Sequence, residues 1–242
     1  MKSQFLVCIP TYNERENIEK ILHRLFASNP EIEALVIDDN SPDGTAHIVR
    51  TMQNSNPKLH LLVNPMKSGL GDAYRSGFKW AIDNNYEYVV EMDADGSHQP
   101  EQLASLLEHA ATQDVVIGSR WIKGGSVVNW PLRRKILSLG GNFYVRSVLG
   151  ISVMDATAGF RIYSRSALEK LQILQSESQG YVFQVEGTYR AVVNNLNVFE
   201  VPIEFVEREI GVSKMSSSIV IEAIGQVTVW AIKHRLLRKP IT

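Results

Sequence analysis

Two carboxylates one residue apart, Asp93 and Asp95, follow the apolar run Val89-Val90-Glu91-Met92. A strand ending in such a pair aims both groups at one sheet edge. There a hard cation, Mg²⁺ or Mn²⁺, would take oxygen ligands and bridge to a substrate diphosphate. Taken alone, Asp93-Ala94-Asp95 is equally the composition of a solvated acidic turn. His98 could join the metal or cap the following helix. A second acidic strand end, Asp38-Asp39, could accept hydrogen bonds from a base or a ribose, and Ser41-Pro42-Asp43-Gly44 behind it is good turn chemistry. Arg120, Arg133, Arg134, Arg161, Arg208 and Lys214 form a dispersed cationic set of the kind that pairs with phosphate oxygens. Arg120 and Arg161 are the strongest candidates, because each adjoins an apolar run and a glycine. Trp121 and Trp130 flank the segment Lys123-Gly124-Gly125-Ser126, which reads as a mobile lid or simply a loop. The lone Cys8 sits inside a strand and reads as inert core.

The elements that must position these residues alternate. Apolar runs at 5–9, 34–37, 59–63, 88–92 and 115–117 read as buried strands, and helical patterns at 13–27, 43–52, 71–82 and 100–111 separate them. That alternation specifies βαβ units, hence an α/β fold with a mostly parallel central sheet and helices on both faces. In such sheets ligands bind outside the carboxyl ends of the strands. The polar segments fall there, from Pro10-Thr11-Tyr12 after the first strand to Gly118-Ser119-Arg120 after the fifth. No G-x-G-x-x-G follows the first strand and no G-x-x-x-x-G-K-[ST] occurs, which disfavours a classical NAD enzyme and a P-loop nucleotidase. Beyond residue 118 the rhythm breaks. Helices are expected at 131–149, 181–193 and 216–237, and strands at 158–163 and 197–205. The reading gives one domain over 1–214 and an amphipathic helical extension over 215–242 ending in a basic run, Lys233 to Lys239. Such an end suits an anionic membrane surface, or equally a helix packed on its own domain with cations at its C-terminal dipole.

Composition narrows the class. The chain has 242 residues, 44% of them hydrophobic, and a formal net charge of -1. That balance is not that of a nucleic-acid binder. One cysteine allows no internal disulfide framework and no cysteine cluster for zinc. Neither a signal-peptide pattern nor a run of about 18 apolar residues is visible, so the expectation is a cytoplasmic protein.

Taken together, Val7-Cys-Ile-Pro-Thr-Tyr-Asn-Glu14, Val36-Ile-Asp-Asp-Asn-Ser-Pro-Asp-Gly44, Lys67-Ser-Gly-Leu-Gly-Asp-Ala73 and Met92-Asp-Ala-Asp95 resemble the family-2 glycosyltransferases, whose fold is GT-A. Within them, Gly118-Ser-Arg120, Asn129-Trp-Pro-Leu-Arg-Arg134, Asp155-Ala-Thr-Ala-Gly-Phe-Arg161, Gly180-Tyr-Val-Phe-Gln184 and the segment Phe205 to Lys214 resemble the polyprenol-monophosphate (dolichol-phosphate) mannose synthases. The resemblance implies an inverting, metal-dependent transfer of mannose from GDP-mannose to polyprenyl (dolichyl) phosphate. It places Pro10, Tyr12, Glu14, Asp39, Lys67, Asp72, Asp93, Ala94 and Lys214 at the nucleotide sugar, and Asp93 and Asp95 at the metal, Mg²⁺ or Mn²⁺. It gives Asp95, Arg120, Arg134 and Arg208 to catalysis, and Arg120, Arg134 and Ser138 to the acceptor phosphate. Ser97 stands where the family often has a glutamine as third metal ligand. A lipid acceptor implies a protein peripheral to the cytoplasmic face of a membrane, with room for a membrane anchor protein as partner. Competing readings are a glucosyltransferase using UDP-glucose on the same acceptor, a family-2 transferase acting on a glycan, and a catalytically silent binder of sugar nucleotide or lipid phosphate.

Overall fold

The structure, a computed structural model, describes residues 3–208 and 217–233, the latter by backbone alone over 217–222. Its first half follows the alternation of the sequence: β1 (Phe5–Thr11), α1 (Ile18–Ser28), β2 (Glu33–Asp38), α2 (Thr45–Gln53), β3 (Leu59–Val63), α3 (Leu70–Asp83), β4 (Tyr88–Glu91), α4 (Leu103–Ala110) and β5 (Val115–Ser119). Strands β1 and β2 are buried on both faces, as continuous apolar runs require. Leu6 and Cys8 join one core layer with Tyr74 and Phe78 of α3. Val7 and Ile9 join the opposite layer with Ile18 and Leu22 of α1.

The second half comprises β6 (Ser126–Val128), α5 (Leu132–Leu149), β7 (Arg161–Ser164), α6 (Arg165–Leu171), α7 (Gly180–Val193), β8 (Val198–Pro202), β9 (Glu204–Val206) and α8 (Ser217–Ala231). Among the described residues the main sheet has seven strands, in the order β3-β2-β1-β4-β7-β5-β8. β7 is antiparallel to both neighbours, with Ile162 opposite Val90 on β4 and Val116 on β5. The remaining pairs in the sheet are parallel.

Three differences from the sequence expectations have local causes. The segment 197–205 is two strands, because Ile203 ends the pairing with β5 by its N–H on the Ser119 carbonyl while its own carbonyl accepts the Ser126 N–H, and β9 then pairs with β6. That pairing ties down the segment between Trp121 and Trp130, where the sequence indicated only a loop or lid. Helix α1 begins at Ile18 and not at 13, because Asn13 takes φ +60 and turns the chain at the strand end. Helix α6 has no counterpart in the sequence pattern because it is seven residues long, too short for two full turns of periodicity, although Ser164 caps it by accepting the Ala167 N–H.

The last helix packs on the body. Val227 and Trp230 of α8 are buried among Val145 and Leu149 of α5 and Tyr189 of α7. The Tyr144 and Thr228 hydroxyls lie 2.6 Å apart across the α5–α8 contact. Lys214 and the basic residues beyond Lys233 lie outside the described residues. No helix is long and apolar enough to cross a membrane among the described residues.

Cys8 is fully buried in β1, and burial, with the Glu91 carboxylate beside it, pushes its thiol far above the usual range. An aromatic disulfide reagent is therefore expected to titrate no thiol in the native protein and one thiol in denaturant. A reactive thiol under native conditions would contradict this placement of β1.

Candidate active site

At the carboxyl edge of the sheet a cleft of about 450 Å³ opens between the ends of β1, β2 and β4 and the first turn of α7. The two carboxylates after β2 divide their work. Asp38 is fully buried and accepts the Thr11 hydroxyl at 3.0 Å and the Ser41 N–H at 2.8 Å, so it closes the turn. Asp39 faces the cleft. Its carboxylate accepts Asn64 Nδ2 at 2.8 Å and the Ser68 and Gly69 N–H groups at 3.3 Å, which draws the loop after β3 over the β2 end. On that loop Lys67 places its ammonium 3.9 Å from the centre of the Tyr12 ring. Tyr12, Glu14, Asp39 and Lys67 thus wall one end of the cleft, the end suited to a nucleoside.

The pair after β4 walls the centre. Asp93, Ala94 and Asp95 all line the cleft. The Asp93 N–H donates to His98 Nδ1 at 3.0 Å, and the His98 ring stacks on Phe160 at 5.1 Å. Burial holds His98 down to about 4, so its ring is neutral, and the accepting Nδ1 puts its proton on Nε2. His98 therefore offers a metal no lone pair; it fixes the backbone that carries Asp93. Asp95 accepts the Ser97 N–H at 3.0 Å on Oδ1 and Arg208 Nη1 at 3.1 Å on Oδ2. The Ser97 hydroxyl is buried, meets no partner among the described residues and is not among the groups lining the cleft. No group of three or more His, Cys, Asp or Glu side chains forms a metal cage among the described residues. Two carboxylates on an open wall fit a six-coordinate Mg²⁺ or Mn²⁺ that takes its other oxygens from diphosphate and water.

Cations surround that centre, each held by a different device. Arg120 is buried in a fork with Asp155: Nε to Oδ2 and Nη2 to Oδ1 at 2.7 Å each, with its own N–H to Oδ2 at 3.0 Å. Nη2 also donates to the Thr157 hydroxyl at 2.9 Å. Burial alone would raise the Asp155 carboxyl, but the Arg120 guanidinium holds it below the usual carboxylate range. Rings of Trp121, Trp130 and Phe205 enclose the guanidinium at 5.4–5.8 Å. Arg134 lies 4.0 Å from the centre of the Trp130 ring and pairs with Glu207. Arg208 reaches Asp95. Among these cations stands Tyr181, in the first turn of α7, whose phenol burial raises first and the Asp93 charge next.

Most of the residues singled out from the sequence therefore meet in one cleft: Pro10 and the base-end group, the acidic pair, and Arg120, Arg134 and Arg208. Others do not reach it. Arg161 is fully buried and spends its donors inside the fold, on the carbonyls of Ala156, Ala158 and Gln184 and the hydroxyls of Tyr163 and Thr188. The expectation that it serves phosphate is corrected: it stitches β7 to α7. Asp72 is engaged by Arg75 and by Gln179 Nε2 at 2.7 Å. It stays outside the cleft lining and steadies Gln179, which is at the lip. Ser138 lies one helical turn beyond Arg134, also outside the lining. Lys214 is outside the described residues. Asp155 and Tyr181 were not assigned roles from sequence. Both stand in motifs that carried the resemblance, but an acid 35 residues from its arginine gives no periodic signal.

Removing Asp155 strands a buried guanidinium, so Asp155→Ala is expected to cost about 3–5 kcal/mol. A thermal melt should fall by roughly 10 °C, and a melting temperature within a degree of wild type would refute the role given to the fork.

Comparison with known proteins accords with this geometry. The model of glycosyl transferase family 2 matches residues 6–172. A polyprenol monophosphomannose synthase of Mycolicibacterium smegmatis is 48% identical over 235 residues, 96% of this chain and 89% of that one. An undecaprenyl-phosphate mannosyltransferase of Micrococcus luteus is 49% identical over 230 residues, 95% of each chain. Among solved structures, a mannosyltransferase from Pyrobaculum calidifontis in complex with GDP-Man and Mn²⁺ superposes with a TM-score of 0.63 at 20% identity, covering all of this chain and 66% of that one. Glucosyl-3-phosphoglycerate synthase from Mycobacterium tuberculosis superposes at 0.64 with 16% identity, over 97% of this chain and 80% of that one. The fold is GT-A, and the chain belongs to glycosyl transferase family 2.

Proposed function

We propose that this glycosyltransferase moves mannose from GDP-mannose to the phosphate of a polyprenol, with inversion, at the cytoplasmic face of a membrane to which it is peripheral. The observation that carries the reading is the junction of the carboxylate pair Asp93/Asp95 with Arg120, Arg134 and Arg208 in one cleft. The names of the two relatives near half identity support the donor sugar and the acceptor class.

The residues suit that chemistry. A bound divalent cation supplies charge neutralisation for the leaving nucleoside diphosphate. Asp93 and Asp95 would hold it, and Asp95 is already engaged by Arg208, so the guanidinium and a cation compete for one carboxylate. Arg208 released from Asp95 is free to face phosphate oxygens. The acceptor is a phosphate monoester with its second pKa near 6. It is already anionic at pH 7, so transfer needs no strong general base. What it needs is placement against a second anionic group, which Arg134 and the rigid Arg120 provide through preorganised charge. The ring of Trp130 packs against that guanidinium.

The test is transfer to polyprenyl phosphate in detergent with Mg²⁺ or Mn²⁺, GDP-mannose and UDP-glucose run side by side. Mannose is expected in the lipid product, lost on chelation and restored by either metal. Glucose in its place would overturn the donor, and no lipid product would overturn the acceptor. Asp95→Asn is expected to lower turnover about 100-fold or more while the thermal melt stays near wild type. Undiminished turnover would remove Asp95 from the metal site.

A further inference from the structure

The charged side chains of the cleft suit charged groups: Asp93 and Asp95 a metal, the arginines phosphate. A hexose is neutral, and neutral donors and acceptors orient it. Several neutral polar groups on the cleft wall are already spent. The Thr11 hydroxyl donates to Asp38, the Thr157 hydroxyl accepts Arg120 Nη2, and the Gln179 amide serves Gly71 and Asp72. Gln184, three residues after Tyr181 on α7, differs. It lines the cleft and is 3% exposed, and neither Oε1 nor Nε2 makes a hydrogen bond of good geometry among the described residues.

A side-chain amide carries two N–H donors and a carbonyl acceptor. The fully buried Glu91 carboxyl lies beside that of Gln184 and can take one donor; the second donor and the acceptor remain. Leaving them buried and unpaired opposes folding, so their retention calls for a partner that the folded chain lacks. The turn that carries the amide is pinned, because Arg161 Nη1 and the Thr188 hydroxyl both donate to the Gln184 backbone carbonyl, at 2.9 and 3.0 Å. Room for a partner lies at Gly159, which also lines the cleft. A Cβ there would stand 3.9 Å from Gln184 Nε2, 3.9 Å from Asp93 Oδ2 and 3.5 Å from His98 Cε1. The room that this glycine leaves is therefore in reach of both the amide and the metal-site carboxylate.

We propose that the Gln184 amide hydrogen-bonds hydroxyls of the hexose being transferred, and that Gly159 keeps the room in which that ring sits. A hexose joined to a diphosphate held at Asp93 and Asp95 lies beside the metal, and Gln184 is a neutral group that faces this place from α7. A fixed amide of this kind rejects a donor whose hydroxyls leave it unpaired. The inference deepens the proposed function and rests on it for the donor, GDP-mannose.

The test uses the full chain with Mn²⁺ and compares the sugar nucleotide with the nucleotide alone. Gln184→Leu nearly keeps the volume and removes a buried, incompletely paired amide, so its thermal melt is expected at or above that of wild type. Its affinity for GDP should stay that of wild type, while kcat/KM for GDP-mannose falls about tenfold or more. The methyl of Gly159→Ala meets no atom beyond its chain neighbours closer than 3.5 Å. That variant should also melt as wild type or slightly above, bind GDP unchanged and raise KM for GDP-mannose about tenfold. Undiminished kcat/KM in Gln184→Leu would overturn the proposal. So would a GDP affinity that falls by the same factor, which would assign the amide to the nucleotide, or a melt several degrees below wild type, which would make it a structural group. An unchanged KM in Gly159→Ala would remove the ring from that place. If the wild type uses UDP-glucose instead, the donor of the proposed function fails, and the same comparison of UDP-glucose with UDP decides the role of Gln184. A wild type that binds neither sugar nucleotide would overturn both readings.

Discussion

A guanidinium at the wall of the cleft, that of Arg120, is held by two hydrogen bonds to one fully buried carboxylate, Asp155, which also accepts the Arg120 backbone N–H. The fork ties the end of β5 to the chain that leads into β7, and the rings of Trp121, Trp130 and Phe205 close over it. A buried ion pair of this kind is weak evidence for stability, since burial of both charges opposes their attraction. Its value here is positional. A cation that cannot turn away costs no reorganisation when a negative charge arrives, and that is the condition under which electrostatic stabilisation is strongest. Arg134 and Arg208, by contrast, hold carboxylate partners that they can exchange, Glu207 and Asp95.

The sheet serves the same end. Inserting β7 antiparallel between β4 and β5 widens the edge on which the site stands, so that Asp93 after β4 and Arg120 after β5 are separated by one strand. Arg161 ties the inserted strand to its surroundings. Its buried donors reach carbonyls of the turn before β7 and of α7. The first turn of α7, bearing Tyr181, is thereby held against the cleft.

Helix α5 turns its polar stripe to the cleft, through Arg134, and leaves its apolar stripe exposed. Helix α8 braces it through the buried Trp230 and the Tyr144–Thr228 contact.

The amino-acid pattern by itself determined the parallel half of this protein. Apolar runs as continuous as those around Val7 and Val36 have one stable use, a strand buried on both faces, and the helical patterns between them force right-handed crossovers. The polar segments after each strand then fall on one edge without further information, which is why Tyr12, Asp39, Asp93 and Asp95 were legible as a group. The partners of the arginines were not legible. Arg120 and Arg161 look alike in sequence, each beside an apolar run and a glycine, yet one lines the cleft and the other is fully buried. Likewise, the apolar stripe on α5 has the spacing of a core face and points to solvent. Periodicity reports only which residues share a face. What that face meets is set by contacts between segments far apart in the chain, such as Asn142 with Thr157 and Arg120 with Asp155. Only the tertiary structure, by closing those distances, decides which charges are spent inside the fold and which remain for a substrate.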